Sequence, residues 1–182
     1  MSTTAILLAG GKGSRMNYRD KAWVEYKDKP LLMHVLDQIV PQVDSVVISR
    51  NGDNPAYASL PYRCISDETT DLEGPLAGVM ACLTAVTTSH TLVVPCDTPS
   101  LPMDLVKELA RGIDDNTAIS VAHDGKRMQQ LIFLARTEAL NTISSYLNRG
   151  ERSVYGWLKT CPHNVITFEN RFDNINHEEQ LE

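Results

Sequence analysis

The chain has 182 residues, of which 42% are hydrophobic and 22% charged, and its net charge is −6. That balance is ordinary for a soluble globular protein, and the length suffices to bury a full core. No apolar stretch approaches the roughly 18 to 20 residues of a membrane span, and the acidic balance argues against a sequence-independent grip on nucleic acid. The expected protein is therefore one domain over residues 1–182, cytoplasmic, reading straight into its first strand without a leader. Cys64, Cys82, Cys96 and Cys161 form no C-x-x-C pair and read as reduced, mostly buried thiols. The five histidines show no metal-ligand spacing.

Along the chain, Thr4–Leu8 is a continuous apolar run, the pattern of a buried parallel strand. Pro30 opens a predicted helix with Leu31, Leu32, Val35, Leu36 and Ile39 at helical spacing, which Pro41 stops. Strands are predicted at Ser45–Ser49 and Tyr62–Ser66, then a helix from Pro75 carrying Leu76, Val79, Met80 and Leu83. Thr91–Pro95 is the next strand, and Pro102 begins a helix running to about Gly112. Ala118–Ala122 and Leu131–Ala135 are further strands, Glu138–Asn148 and Val154–Lys159 are helical, and Val165–Phe168 is a late strand. Residues from His177 onward make a short polar helix at most. Alternating strands and helices predict a single-domain, Rossmann-like three-layer α/β sandwich with a mostly parallel, doubly wound sheet. Such sheets bind ligands outside the carboxyl ends of their strands.

The informative residues fall at those ends. Gly10, Gly11 and Gly13 follow the first strand, where backbone N–H groups can cradle phosphate oxygens. The turn is neither G-x-G-x-x-G, since position 16 is Met16, nor a Walker A loop. Lys12, Arg15, Arg19 and Lys21 lie within ten residues, opposed by Asp20. In an acidic chain this favours a local anion site over a solvated loop. Asp97 follows a strongly apolar strand in "LVVPCDTP" and reads equally as a magnesium ligand or as a turn or cap aspartate. Asp67, at the end of "RCISD", either bonds a sugar or base or caps a turn. In "EGPLAG", Gly74 and Gly78 mark either a closely packed helix start or a surface along which a large ligand lies.

"LLAGGKGSRM", the Asp20–Lys21 pair, "DKPLLMHVLDQI", "SDE" followed by "GPLAG", "VVPCDTP", "GER" at 150–152 and "DNIN" at 173–176 occur in this order. Together they resemble the molybdenum cofactor guanylyltransferases, within the nucleotidyltransferase superfamily, over nearly the whole chain. The resemblance implies a magnesium-dependent enzyme that joins GMP from GTP to the molybdopterin phosphate and releases pyrophosphate. Its substrates would be GTP and the molybdopterin-bound molybdenum cofactor. Its partners would be other proteins of cofactor biosynthesis or insertion, with no nucleic acid and no membrane.

By position, Leu8, Ala9, Gly10, Gly11, Lys21, Ser49, Asp67 and Asp97 would bind the nucleotide, with Asp97 holding Mg2+. Arg15, Gly74, Gly78, Asn174 and Asn176 match positions on the pterin side, with Arg152 in the same cleft. Lys21, Asp97 and Arg15 would carry catalysis. The sequence departs from the family in three places. Ser49 stands where the family commonly has Asn, with Asn51 two positions later; Asn17–Tyr18 replaces a glycine pair before Asp20; and the N-x-N-T-P continuation is missing at the end. These departures bear on base and pterin specificity. Cytidylyl transfer to the same pterin, transfer to another small phosphate, and a noncatalytic nucleotide-binding module remain the alternatives.

Overall fold

The computed structural model describes residues 1–10, 20–51, 54–66, 74–169, 172 and 175. In chain order the elements are β1 (Thr3–Leu8), the two-residue strands β2 (Glu25–Tyr26) and β3 (Lys29–Pro30), α1 (Leu31–Ile39), β4 (Ser45–Arg50), β5 (Arg63–Ser66), α2 (Pro75–Leu83) and β6 (His90–Pro95). There follow α3 (Leu105–Ala110), β7 (Ile119–His123), β8 (Met128–Arg136), α4 (Thr142–Asn148), α5 (Val154–Lys159) and β9 (His163–Thr167). Seven strands form one sheet in the order β5-β4-β1-β6-β8-β7-β9. Within it β8 runs antiparallel to both β6 and β7, and the other neighbours pair in parallel.

The layers follow from the alternation of side chains along a buried strand. On β1 and just beyond it, Ala5, Leu7 and Ala9 face one side, where Leu32, Val35, Leu36 and Ile39 of α1 and Leu105 and Leu109 of α3 close over them. Ile6 and Leu8 face the other side, against Leu76 and Val79 of α2, Ile143 and Leu147 of α4 and Trp157 of α5. With both faces covered, β1 has no polar side to show, which explains its unbroken apolar sequence.

Three boundaries differ from the sequence reading. The helix expected from Pro102 begins only at Leu105. Gln38 on α1 and Gln42 in the 3-10 turn Val40–Gln42 that follows it hold the preceding chain in non-helical form. Gln38 donates to the Pro99 carbonyl at 2.7 Å and accepts from the Leu101 N–H at 2.6 Å. Gln42 donates to the Pro102 carbonyl at 3.0 Å and accepts from the Val106 N–H at 3.0 Å. The helix expected over Glu138–Asn148 starts as a 3-10 turn, Thr137–Asn141, before α4. The third is β8, which begins at Met128 rather than Leu131 and follows β7 through a tight hairpin turn. Asp124 Oδ1 accepts from the N–H groups of Lys126 and Arg127, both at 2.7 Å, and Gly125 takes φ +87°. The Arg127 and Lys126 N–H groups and the Gln129 amide hold the Asp124 carboxyl at about 2. The segment from His177 lies outside the described residues.

Candidate active site at the carboxyl ends of the strands

The chain runs from β1 outward to β4 and β5 on one side, then returns to β6 on the other. The order therefore reverses between β1 and β6, the switch point where such sheets open a crevice. Leu8 pairs with Ser49 on one side and Pro95 on the other, so the three strands end at one level. Beyond that level the Ala9 N–H still donates to the Ser49 carbonyl at 2.8 Å, and the Cys96 N–H to the Leu8 carbonyl at 3.0 Å. These bonds carry the three chains out of the sheet side by side and place Gly10, Asn51 and Asp97 at the crevice mouth.

Gly10 fits there because it has no side chain. A Cβ on it would stand 2.8 Å from Asn51 Oδ1. Asp97 is reached from far along the chain: Lys21 Nζ donates to its Oδ2 at 2.7 Å. Both side chains keep about a fifth of their surface exposed, 21% and 22%. Lys21 opens a short 3-10 turn, Lys21–Trp23, which Asp20 caps by accepting from the Ala22 N–H at 3.2 Å. Burial pushes the Asp20 carboxyl above its ordinary range, opposed by hydrogen bonds from Tyr57, Ala22 and Asn54. The Ile175 N–H donates to the Asp97 carbonyl at 2.8 Å, which brings Ile175 to the same strand end. Cys96, beside Asp97, is buried, and burial followed by the Asp97 charge pushes its thiol far above the ordinary range. It is no thiolate nucleophile near neutral pH.

The expected site residues separate into three groups. Leu8, Ala9, Gly10, Lys21 and Asp97 come together at the switch point. Ser49 and Gly78 meet in the packing of α2 on β4. Ser49 is 1% exposed, and a Cβ on Gly78 would stand 2.5 Å from its Oγ. Gly74 caps α2 at φ +98°, in the left-handed region that favours glycine. Arg152 donates to the carbonyls of Leu147 and Glu151, both at 2.8 Å, and so closes the end of α4. Gly11, Arg15, Asp67, Asn174 and Asn176, with Lys12, Gly13, Tyr18 and Arg19, lie outside the described residues. Asn51, which the sequence marked only by its place two positions past Ser49, stands one residue past β4.

The Gly78–Ser49 contact is directly testable. Gly78→Ala is expected to lower stability by about 1–3 kcal/mol through overpacking, read as a reduced denaturation midpoint. Ser49→Ala in the same chain removes the atom that the new methyl meets and should restore most of the loss. An unchanged midpoint in Gly78→Ala would contradict this packing.

Fold and site define an α/β protein that presents a lysine, a carboxylate and a glycine at its switch point. Residues 5–163 match the MobA-like NTP transferase domain. The chain belongs to this family and is a nucleotidyltransferase. Among its curated relatives, the molybdenum cofactor guanylyltransferase of Shewanella woodyi is 38% identical over 182 residues, covering 97% of this chain and 92% of that protein. The Vibrio campbellii protein of the same name is 35% identical over 182 residues, covering 98% and 93%. The crystal structure of molybdopterin-guanine dinucleotide biosynthesis protein A from Archaeoglobus fulgidus superposes with a TM-score of 0.77 at 20% identity, covering 98% and 94%, which shows the shared fold.

Proposed function

We propose that this chain transfers GMP from GTP to the terminal phosphate of molybdopterin in the molybdenum cofactor, forming the guanine dinucleotide cofactor and releasing pyrophosphate. The observation that carries the reading is the Lys21–Asp97 pair at the switch point, in a chain whose relatives bear the guanylyltransferase name. The acceptor phosphate oxygen attacks the α-phosphorus in line, a new P–O bond forms, and the bond to the β-phosphate oxygen breaks. A phosphate monoester is already largely ionised near pH 7, its second pKa being about 6, so no strong general base is required. Catalysis then rests on positioning and on neutralising charge.

Lys21 would set its ammonium against the triphosphate, and the backbone of Leu8, Ala9, Gly10 and Gly11 would lie along the nucleotide. Asp67 would bind the nucleoside. Arg15, Gly74, Asn174 and Asn176 would line the pterin side, with Ser49 and Gly78 shaping the cleft through their packing. The donor set suits Mg2+, which takes one or two protein carboxylates and fills its remaining positions with water and phosphate oxygens. Asp97 would supply that carboxylate, exchanging Lys21 for the cation while Lys21 turns to phosphate. Bound there, Mg2+ would supply charge neutralisation for the phosphates. No helix among the described residues is long and apolar enough to cross a membrane. The proposed activity would place the enzyme in the cytoplasm beside other cofactor-biosynthesis proteins.

The test is a product assay with purified protein, Mg2+ and molybdopterin-bound cofactor, offering GTP and CTP in parallel. Pyrophosphate and the guanine dinucleotide are expected with GTP alone. Turnover with CTP alone would move the protein to cytidylyl transfer, and turnover with neither would remove the reading.

A further inference from the structure

Lys21 opens a turn whose cap, Asp20, is contacted by groups from a different part of the chain. Asn54 and the 3-10 turn Pro55–Ser59 follow β4 and form a bracket around Asp20. The Tyr57 hydroxyl donates to Asp20 Oδ1 at 3.2 Å, and Asn54 Nδ2 lies 3.5 Å from Oδ2. The same Oδ1 accepts from the Ala22 N–H, so one oxygen joins the tyrosine to the turn that starts at Lys21. At the other end of that turn the Trp23 ring meets the Tyr57 ring edge-on, with centroids 5.3 Å apart at 78°. Asn54 is fixed in its own right, since its Oδ1 accepts from the Ala56 N–H at 3.0 Å. Tyr57 is only 4% exposed. It therefore touches both ends of a three-residue turn whose first side chain is the lysine of the site.

We propose that Tyr57 is a positioning residue for the transfer reaction: with Asn54 it fixes Asp20, and Asp20 in turn fixes the turn that delivers Lys21 to Asp97. This rests on the proposed function for its kinetic readout, though not for its structural one. A two-residue Asp–Lys motif is thereby completed by a tyrosine 37 residues from the aspartate. The ring alone fills its place in the core, and phenylalanine would fill it as well.

The experiment is a double-mutant cycle on the full chain, with Tyr57→Phe, Asp20→Ala and the pair combined, plus Asp20→Asn. Losing the hydroxyl's bond to a carboxylate should lower kcat about tenfold, with a smaller change in KM for GTP and a modest fall in melting temperature that leaves the chain folded at the assay temperature. Asp20→Ala should lose at least as much. Adding Tyr57→Phe to Asp20→Ala should cost nothing further, because the tyrosine acts through the aspartate. Asp20→Asn keeps an oxygen for the Ala22 N–H and the tyrosine hydroxyl, and should recover most of the rate.

Wild-type kcat in Tyr57→Phe would overturn the inference. So would a further tenfold loss in the double variant, or an Asp20→Asn as damaged as Asp20→Ala. The crystal structure of Tyr57→Phe decides independently of turnover. Displacement of Lys21 from Asp97 is expected, and an unmoved pair would refute the positioning role. Absence of guanylyl transfer in the wild-type chain would count against the functional reading alone, and the crystal structure would still decide this one.

Discussion

Asp97→Ala is expected to lower kcat by about 10³ or more while the fold survives, because it removes the carboxylate proposed to hold Mg2+. The two halves of this expectation have separate physical grounds. Asp97 enters the architecture mainly through its backbone: its carbonyl accepts from the Ile175 N–H, and neither contact of its neighbours with the β1 end involves its side chain. The side chain's described partners are Lys21 at 2.7 Å and the Thr98 hydroxyl at 3.5 Å. A partly exposed ion pair of this kind contributes about 1 kcal/mol or less. Circular dichroism and the melting temperature should therefore stay close to wild type. Pyrophosphate release at saturating GTP and Mg2+ should fall to near the detection limit. Asp97→Asn, which keeps the shape and loses the charge, should be nearly as inactive. Full magnesium-dependent turnover in either variant would show that the metal is held elsewhere.

How far the sequence revealed this arrangement depends on the distance over which each feature is determined. β1 and β6 were legible because a strand covered on both faces must be apolar throughout, and their runs are short and bounded by polar turns. α1 was legible from its spacing and from the prolines at either end. The reversal of β8 had a local signal that the alternating pattern obscured. Asp124–Gly125 is a hairpin dipeptide, and too few residues separate β7 from β8 for a crossover. The late start of α3 had no local signal, since Pro102 is a normal helix opener. What delays the helix is a pair of glutamine amides, one on α1 and one in the turn that follows it, some 60 residues earlier.

The site shows the same division. Gly10, Lys21 and Asp97 stand at strand ends or in short motifs, so type and place suggested chemistry. Ser49 looked like a ligand-binding position by alignment, yet its side chain points inward, because strand alternation sets it beneath α2 and Gly78. Asp20 read as one negative charge among four positive ones. That it caps the Lys21 turn and is gripped by Tyr57 follows only from tertiary structure.

Lys21→Ala carries the second large effect, a loss of about 10² in kcat/KM for GTP, expressed in both parameters. The reason lies in the lysine's two positions. In the ligand-free arrangement its ammonium neutralises Asp97 at 2.7 Å. With nucleotide and metal in place the cation would take over at Asp97, and the ammonium would be available to the triphosphate, whose charge grows on the leaving pyrophosphate. Binding and rate should therefore fall together. Lys21→Arg separates charge from reach. Its guanidinium keeps the positive charge, so KM for GTP should recover more than kcat, because a planar fork cannot place a point charge as an ammonium does. Steady-state kinetics on the two variants check this. A Lys21→Ala variant with raised KM and unchanged kcat would confine the lysine to ground-state binding. One with wild-type kcat/KM would detach the Lys21–Asp97 pair from the reaction, leaving it as a bond that ties the Lys21 turn to the end of β6.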